Sequence, residues 1–145
     1  MKELYNEIKV EAGTYYIGDL CYVIKGDGIW EKVCTAMFPN DDAKDGLIVV
    51  EGYQMISFST MYGDGTYTDN HGNEYPVDAG MIGLISVQDI EKINGGPVDV
   101  EFGNVATFEK DFICKSNNGE LYFGQYVIDT GYDEEEDEEE YEDDY

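Results

Sequence analysis

Apolar residues alternate with polar ones, or run on continuously, through most of the first 132 residues; helical spacing occurs in only two stretches. Residues 14–24, "TYYIGDLCYVI", read as a strand, a Gly-Asp break and a second strand. Residues 28–38, "GIWEKVCTAMF", set Trp30, Val33, Cys34 and Met37 at i, i+3, i+4 and i+7, which is one apolar face of a short helix. Pro39 and the polar run "NDDAKDG" end it. Residues 47–51 and 53–60 form a pair of strands around Gly52. Neither face of the second is cleanly polar, so it is predicted to be a central strand covered on both sides. Residues 66–85 read as a hairpin turning at Asn70–Asn73, with Pro76 placing its return strand at an edge or a bulge. Ser86 caps a second short helix over 86–94, with Asp89 three residues on and Gly95-Gly96 as its stop. Strands follow at 97–103 and 104–116, and "SNNGE" turns the chain into "LYFGQYVIDTGY".

The pattern predicts an α+β fold: a mostly antiparallel, twisted β-sheet with two short helices over residues 1–132, then an acidic C-terminal tail over 133–145. One segment type recurs three times. Tyr15-Tyr-Ile-Gly-Asp19, Tyr75-Pro-Val-Asp78 and Tyr126-Val-Ile-Asp129 each carry a tyrosine, a branched apolar residue two on, and an Asp/Gly corner. This is how strands commonly end, and the spacing is too uneven for a solenoid.

Charge changes the picture. The net charge is −25, and eleven of the thirteen residues in "DEEEDEEEYEDDY" are acidic, so the body carries −14 of its own. A like-charge run repels itself and buries nothing, so the core does not require it. Such a chain is repelled by nucleic acid and by anionic membrane, and its natural partners are basic surfaces. The N-terminal "MKELYNEIKVEAG" has no apolar run of the kind a leader needs, and no window reaches transmembrane length. Cys21, Cys34 and Cys114 are odd in number and show no CxxC spacing, which reads as reduced thiols in a cytosolic protein.

Candidate chemistry is sparse. His71, the one histidine, falls at the hairpin tip, where a solvated turn residue is the expectation rather than a general base. "YGDGTYTDN" resembles a calcium loop, but Asp64 is followed by Thr66 and Thr68 where ligands belong. Cys21 has a carboxylate neighbour, which raises a thiol's pKa rather than activating it. Nucleophile-elbow, phosphate-loop, dinucleotide and zinc motifs are missing. The expectation is therefore a non-enzyme with no catalytic residue, no metal and no cofactor.

The tail answers to charge density. A helical run of carboxylates spaces charges at roughly 1.5–1.8 Å, close to the ~1.7 Å per charge of duplex DNA. An extended run places same-face carboxylates about 6.6 Å apart. Either form imitates the backbone that a nucleic-acid groove receives. The candidate partner-binding residues are Asp133, Glu134, Glu135, Glu136, Asp137, Glu138, Glu139, Glu140, Glu142, Asp143 and Asp144, with Tyr141 and Tyr145 standing in for bases on an aromatic platform. The predicted function is a DNA-mimic-like inhibitor that binds a basic nucleic-acid-handling host protein, such as a defence nuclease, restriction or CRISPR complex. Alternatives are an immunity or antitoxin protein against a nuclease toxin, and a binding module whose body carries recognition through its tyrosines and the "YGDGTYTDN" loop, with the tail as solubiliser. A carboxylate-pair enzyme is a further alternative, which requires a concave site.

The segments "YYIGDLCYVI" (15–24) and "YGDGTYTDNHGNEYPVDAGMIGLI" (62–85) resemble a group of small β-rich proteins of bacteriophages and bacteria, with G-D-x-C-Y-V, Y-G-D-G-x-Y and V-D-A-G motifs. The likeness covers about a quarter of the chain, and Leu20 stands where the group has proline. It implies a β-rich fold and a phage setting, in which acidic DNA mimics disarm host defence; it implies no particular activity.

Overall fold

The computed structural model describes residues 2–4, 7–25, 28–39, 44–97, 100–117 and 119–130. The predicted partner-binding tail, Asp133 to Tyr145, lies outside the described residues. The strands divide between two five-stranded antiparallel sheets and a separate hairpin. In the first sheet the order is β1 (Lys2–Leu4), β2 (Glu7–Val10), β10 (Phe112–Asn117), β11 (Glu120–Phe123), β12 (Tyr126–Asp129). In the second it is β4 (Gly46–Val50), β5 (Tyr53–Ser59), β8 (Met81–Ser86), β3 (Gly13–Gly18), β9 (Asn104–Phe108). The hairpin is β6 (Gly65–Thr68) with β7 (Glu74–Val77), and the helices are α1 (Ile29–Met37) and α2 (Val87–Asn94).

The residue patterns explain the layering. β2 alternates exposed Glu7 and Lys9 with buried Ile8 and Val10, so the first sheet has one dry face. The central strands of the second sheet are apolar on both faces. Ile17, Ile56, Phe58, Ile82 and Leu84 form one core with Phe123 and Ile128 of the first sheet. Tyr16, Met55, Met81 and Ile85 face the other way and meet Val33, Met37 and Ile90 of the helices. The order is therefore sheet, sheet, helices, with two apolar cores. The central, doubly covered position predicted for residues 53–60 belongs to β5, whose residues Met55 to Phe58 are all buried.

Both helices form as predicted, α1 from its apolar spacing and α2 from its caps. The Ser86 hydroxyl accepts from Asp89 N, and Gly95, at φ 77°, closes α2 in a left-handed turn. Four readings are corrected. Residues 20–22 form a 3-10 turn rather than a second strand, because the Asp19 side chain caps it by accepting from Cys21 N. Residues 100–103 form a loop, because Gly103 takes φ 94° and the Phe102 carbonyl turns to the Tyr16 hydroxyl at 2.8 Å. The stretch 104–116 is two strands in different sheets, broken at Glu109–Asp111, where the chain crosses between sheets. The Phe108 and Phe112 rings stack across that corner at 3.7 Å. The predicted 66–85 hairpin ends at Val77; its last third, β8, lies at the centre of the second sheet.

Gly83 shows how tightly that centre is filled. A Cβ there collides with the Ile56 carbonyl oxygen and lies 2.9 Å from Leu20 Cγ. Gly83→Ala is expected to cost about 2–3 kcal/mol by overpacking, read as a lower denaturant midpoint at unchanged slope. An unchanged midpoint would mean that the β5 backbone at Ile56 and the Leu20 side chain both give way at no cost.

Candidate functional site

Four loops are tied together by hydrogen bonds, and a buried carboxylate joins two of them. Asp19 is 1% exposed. Its Oδ1 accepts from Cys21 N at 3.0 Å, and its Oδ2 accepts from Asp78 N at 2.7 Å and Ala79 N at 2.6 Å. Two of the three tyrosine-led strand exits thus meet on one side chain. The Tyr16 hydroxyl lies between the carbonyls of Asp19 and Phe102 and brings the 101–103 loop onto the same knot. Thr60 joins the fourth loop: its N–H donates to the Gly80 carbonyl and its hydroxyl to the Gly63 carbonyl. The neighbouring Met61 N–H donates to the Thr130 hydroxyl at 3.1 Å, and that hydroxyl donates to the Gly119 carbonyl at 2.5 Å. Thr130 is fully buried.

The surface of this knot is apolar and acidic together. Met61 is 52% exposed, Tyr62 48% and Phe102 38%. The half-buried Tyr22 ring lies 4.8 Å from that of Phe102. Asp64, Asp78 and Glu101 are exposed among them. Partial burial pushes the Tyr22 phenol up, and the Cys21 thiol and the carboxylates of Asp19, Asp78 and Asp64 add to it. The chain has no arginine, and no lysine occurs between Lys44 and Lys92 or after Lys115. Three of the lysines are paired: Lys9 with Asp111, Lys115 with Glu7, and Lys32 with Glu51.

The predicted turn at 70–73 is built on a second buried carboxylate. Asp69 accepts from His71 N, Asn73 N, Asn73 Nδ2 and, at 2.6 Å, the Tyr75 hydroxyl. Burial alone pushes its carboxyl up, but the donations of Tyr75, Asn73 and His71 outweigh that and hold it below the ordinary 3.8. The hairpin tip docks on β12: Asn70 exchanges two bonds with Val127, and the exposed His71 ring lies 4.9 Å from that of Tyr126. His71 is thus a turn residue. Because a lowered folded pKa stabilises only above the unfolded value, the stability that Asp69 contributes is present above about pH 4 and lost as pH falls through its folded pKa. Tyr75→Phe removes a donor, raises that pKa and moves the loss to higher pH. An NMR titration of the Asp69 carboxyl carbon checks this; an unmoved midpoint would assign the depression to the amides alone.

The remaining candidates have structural surroundings. Burial and then the Asp19 hydrogen bond push the Cys21 thiol up to about 12, and burial pushes the Cys114 thiol up as well. No group of three or more His, Cys, Asp or Glu among the described residues is arranged to hold a metal ion. An open groove of about 580 Å³ lies between residues 107–113 and Gly124-Gln125. Of its two carboxylates, Asp111 is engaged by Ala12 N and Lys9. No helix among the described residues is long and apolar enough to cross a membrane.

The "YGDGTYTDN" loop is split by the fold. Tyr62 and Asp64 lie on the gathered face, whereas Tyr67 is half-buried with its hydroxyl on the Gly63 carbonyl. Sequence reasoning missed Tyr22, Met61 and Phe102, because the loops that bring them together are distant in sequence. Comparison with protein-family models, curated proteins and solved structures finds no match to this chain.

Proposed function

We propose that this protein is a non-enzymatic acidic inhibitor, phage-encoded and acting in the bacterial cytoplasm, that occupies the nucleic-acid-binding groove of a basic host protein. The observation that carries the reading is the segregation of charge. The net charge is −25, and lysine is missing from 45–91 and from everything after 115, including the eleven acidic residues of 133–145. A groove built to neutralise phosphates attracts such a surface for the same reason that it attracts DNA, and like charge keeps the protein off nucleic acid itself. The motif resemblance supports the phage setting. An immunity protein against a nuclease toxin would use the same chemistry on a different basic partner.

The test is displacement of a labelled duplex from purified restriction, CRISPR and nuclease complexes. Release of DNA from at least one of them at 50 mM salt is expected, weakening by about 10³-fold at 200 mM as counterions compete. Retention of DNA by every complex at 50 mM salt would refute the reading.

A further inference from the structure

The edges of the two sheets differ in how far they are closed. The outer side of β12 is taken by the hairpin tip, through the Asp69–Ile128 bridge and the two bonds between Asn70 and Val127. β9 pairs with β3 alone, so one row of its N–H and C=O groups has no strand partner among the described residues. Asn104–Phe108 contains no charged residue and no proline, the devices with which an edge strand ordinarily turns a further strand away. Val105 is 47% exposed, and Thr107 is exposed on the same face. The groove of about 580 Å³ begins at Thr107 and Phe108, so a strand laid along β9 has room for its side chains there.

Charge separates β9 from β4, the other edge of the same sheet. Beside β4, Asp45 is bonded to Ser59, and Glu51 is paired with Lys32. Beside β9, Glu101 and Glu109 are exposed and have no hydrogen-bond or ion-pair partner among the described residues. Asp111 is held by Lys9, and Lys110 is the one lysine in 97–111. An extended segment with cations at its ends thus meets an unpaired carboxylate at each end of β9 and an uncharged row between them. Resting on the reading above that the partner is basic, we infer that β9 is a strand-addition site, whose occupant is an extended cationic segment of that partner. Main-chain bonds to β9 hold the segment, Val105 and Thr107 meet its side chains on one face, and Glu101 and Glu109 receive its charged ends.

The probe is the acetylated and amidated peptide Lys-Lys-Val-Thr-Val-Lys-Lys, with a second form N-methylated at its three central residues. The two have the same charge and side chains, and only the first can pair as a strand. Binding to the full-length protein is followed by anisotropy at 50 mM salt, and hydrogen exchange locates it. The unmethylated peptide is expected to bind about tenfold more tightly. Alternate amides within 104–108 should then exchange about tenfold more slowly, while those of 46–50 keep their rates. Glu101→Gln/Glu109→Gln should weaken that peptide by about fivefold, the worth of two exposed ion pairs. Equal binding of the two peptides, unaltered affinity of the glutamine variant, or protection at 46–50 instead of 104–108 would overturn the inference. So would slowed exchange at 104–108 in the protein alone that grows with protein concentration, which would make the occupant a second copy. DNA displacement is read separately. An unprotected β9 in a protein that displaces DNA counts against this inference alone, whereas a protected β9 in a protein that displaces none counts against the functional reading.

Discussion

Replacing Asp19 with alanine should lower the melting temperature by roughly 10 °C or more, the largest effect expected of any single substitution in the body. The carboxylate is buried and is the acceptor for Cys21, Asp78 and Ala79 N–H groups on two segments some sixty residues apart. Each donor left unpaired in the interior costs about 1–3 kcal/mol. Partial rescue by water reduces the sum, which leaves a loss of roughly 3–4 kcal/mol. For a domain of this size, 1 kcal/mol corresponds to about 3–5 °C. Asp19→Asn keeps one acceptor oxygen but turns an amide toward a donor, so its loss should be nearly as large. Asp64→Asn, at an exposed position, should shift stability by less than about 0.5 kcal/mol. Hydrogen exchange localises the effect: the Cys21, Asp78 and Ala79 amides should lose protection first. Unchanged exchange at those three would show that the knot is held by its neighbours and not by Asp19.

Converting the tail glutamates 134–136, 138–140 and 142 to glutamine should abolish displacement of DNA while leaving the melting temperature within about 2 °C. Seven of the eleven negative charges in 133–145 are removed, and side-chain size is preserved. The fold is expected to be indifferent to the change, because a like-charge run buries nothing in a core. Binding is not indifferent, because each carboxylate that replaces a phosphate contributes to the salt slope. A loss of about 10³-fold at 50 mM salt, with a correspondingly shallower dependence on salt, is the expected outcome. Inhibition that persists unaltered would place recognition on the folded body alone.

The sequence was most legible where one local cause decides the structure. Ser86 with Asp89 and Gly95 specifies α2, and the apolar face of Val33 and Met37 specifies α1. Apolar residues on both faces, Met55 on one and Ile56 and Phe58 on the other, identify a doubly covered strand. The division into two sheets was not legible, because it rests on the corners at Ala12 and Asp111, which hydrogen-bond each other across 99 positions. The N-terminal strands β1 and β2 are not legible, because a four-residue polar–apolar alternation such as Glu7–Val10 does not stand out from a polar background. "LCYVI" satisfies a strand pattern, and only the Asp19 side chain turns it into a 3-10 cap. The three tyrosine-led exits were read as ordinary strand ends; two of them prove to be partners through Asp19. The candidate face is composed of Tyr22, Met61, Tyr62 and Phe102, and no local rule joins positions so far apart. The acidic run is the opposite case, fully visible in sequence and needing no fold to be noticed.

The central claim is that an anionic surface on this protein takes the place of nucleic acid on a basic partner. Immobilised full-length protein and its tail-glutamine variant, exposed in parallel to a bacterial lysate at 50 mM salt and then eluted with duplex DNA, test it most directly. The account predicts a nucleic-acid-handling protein retained by the acidic form alone and released by the duplex. Retention by both forms, or a captured protein that duplex DNA cannot release, would contradict it.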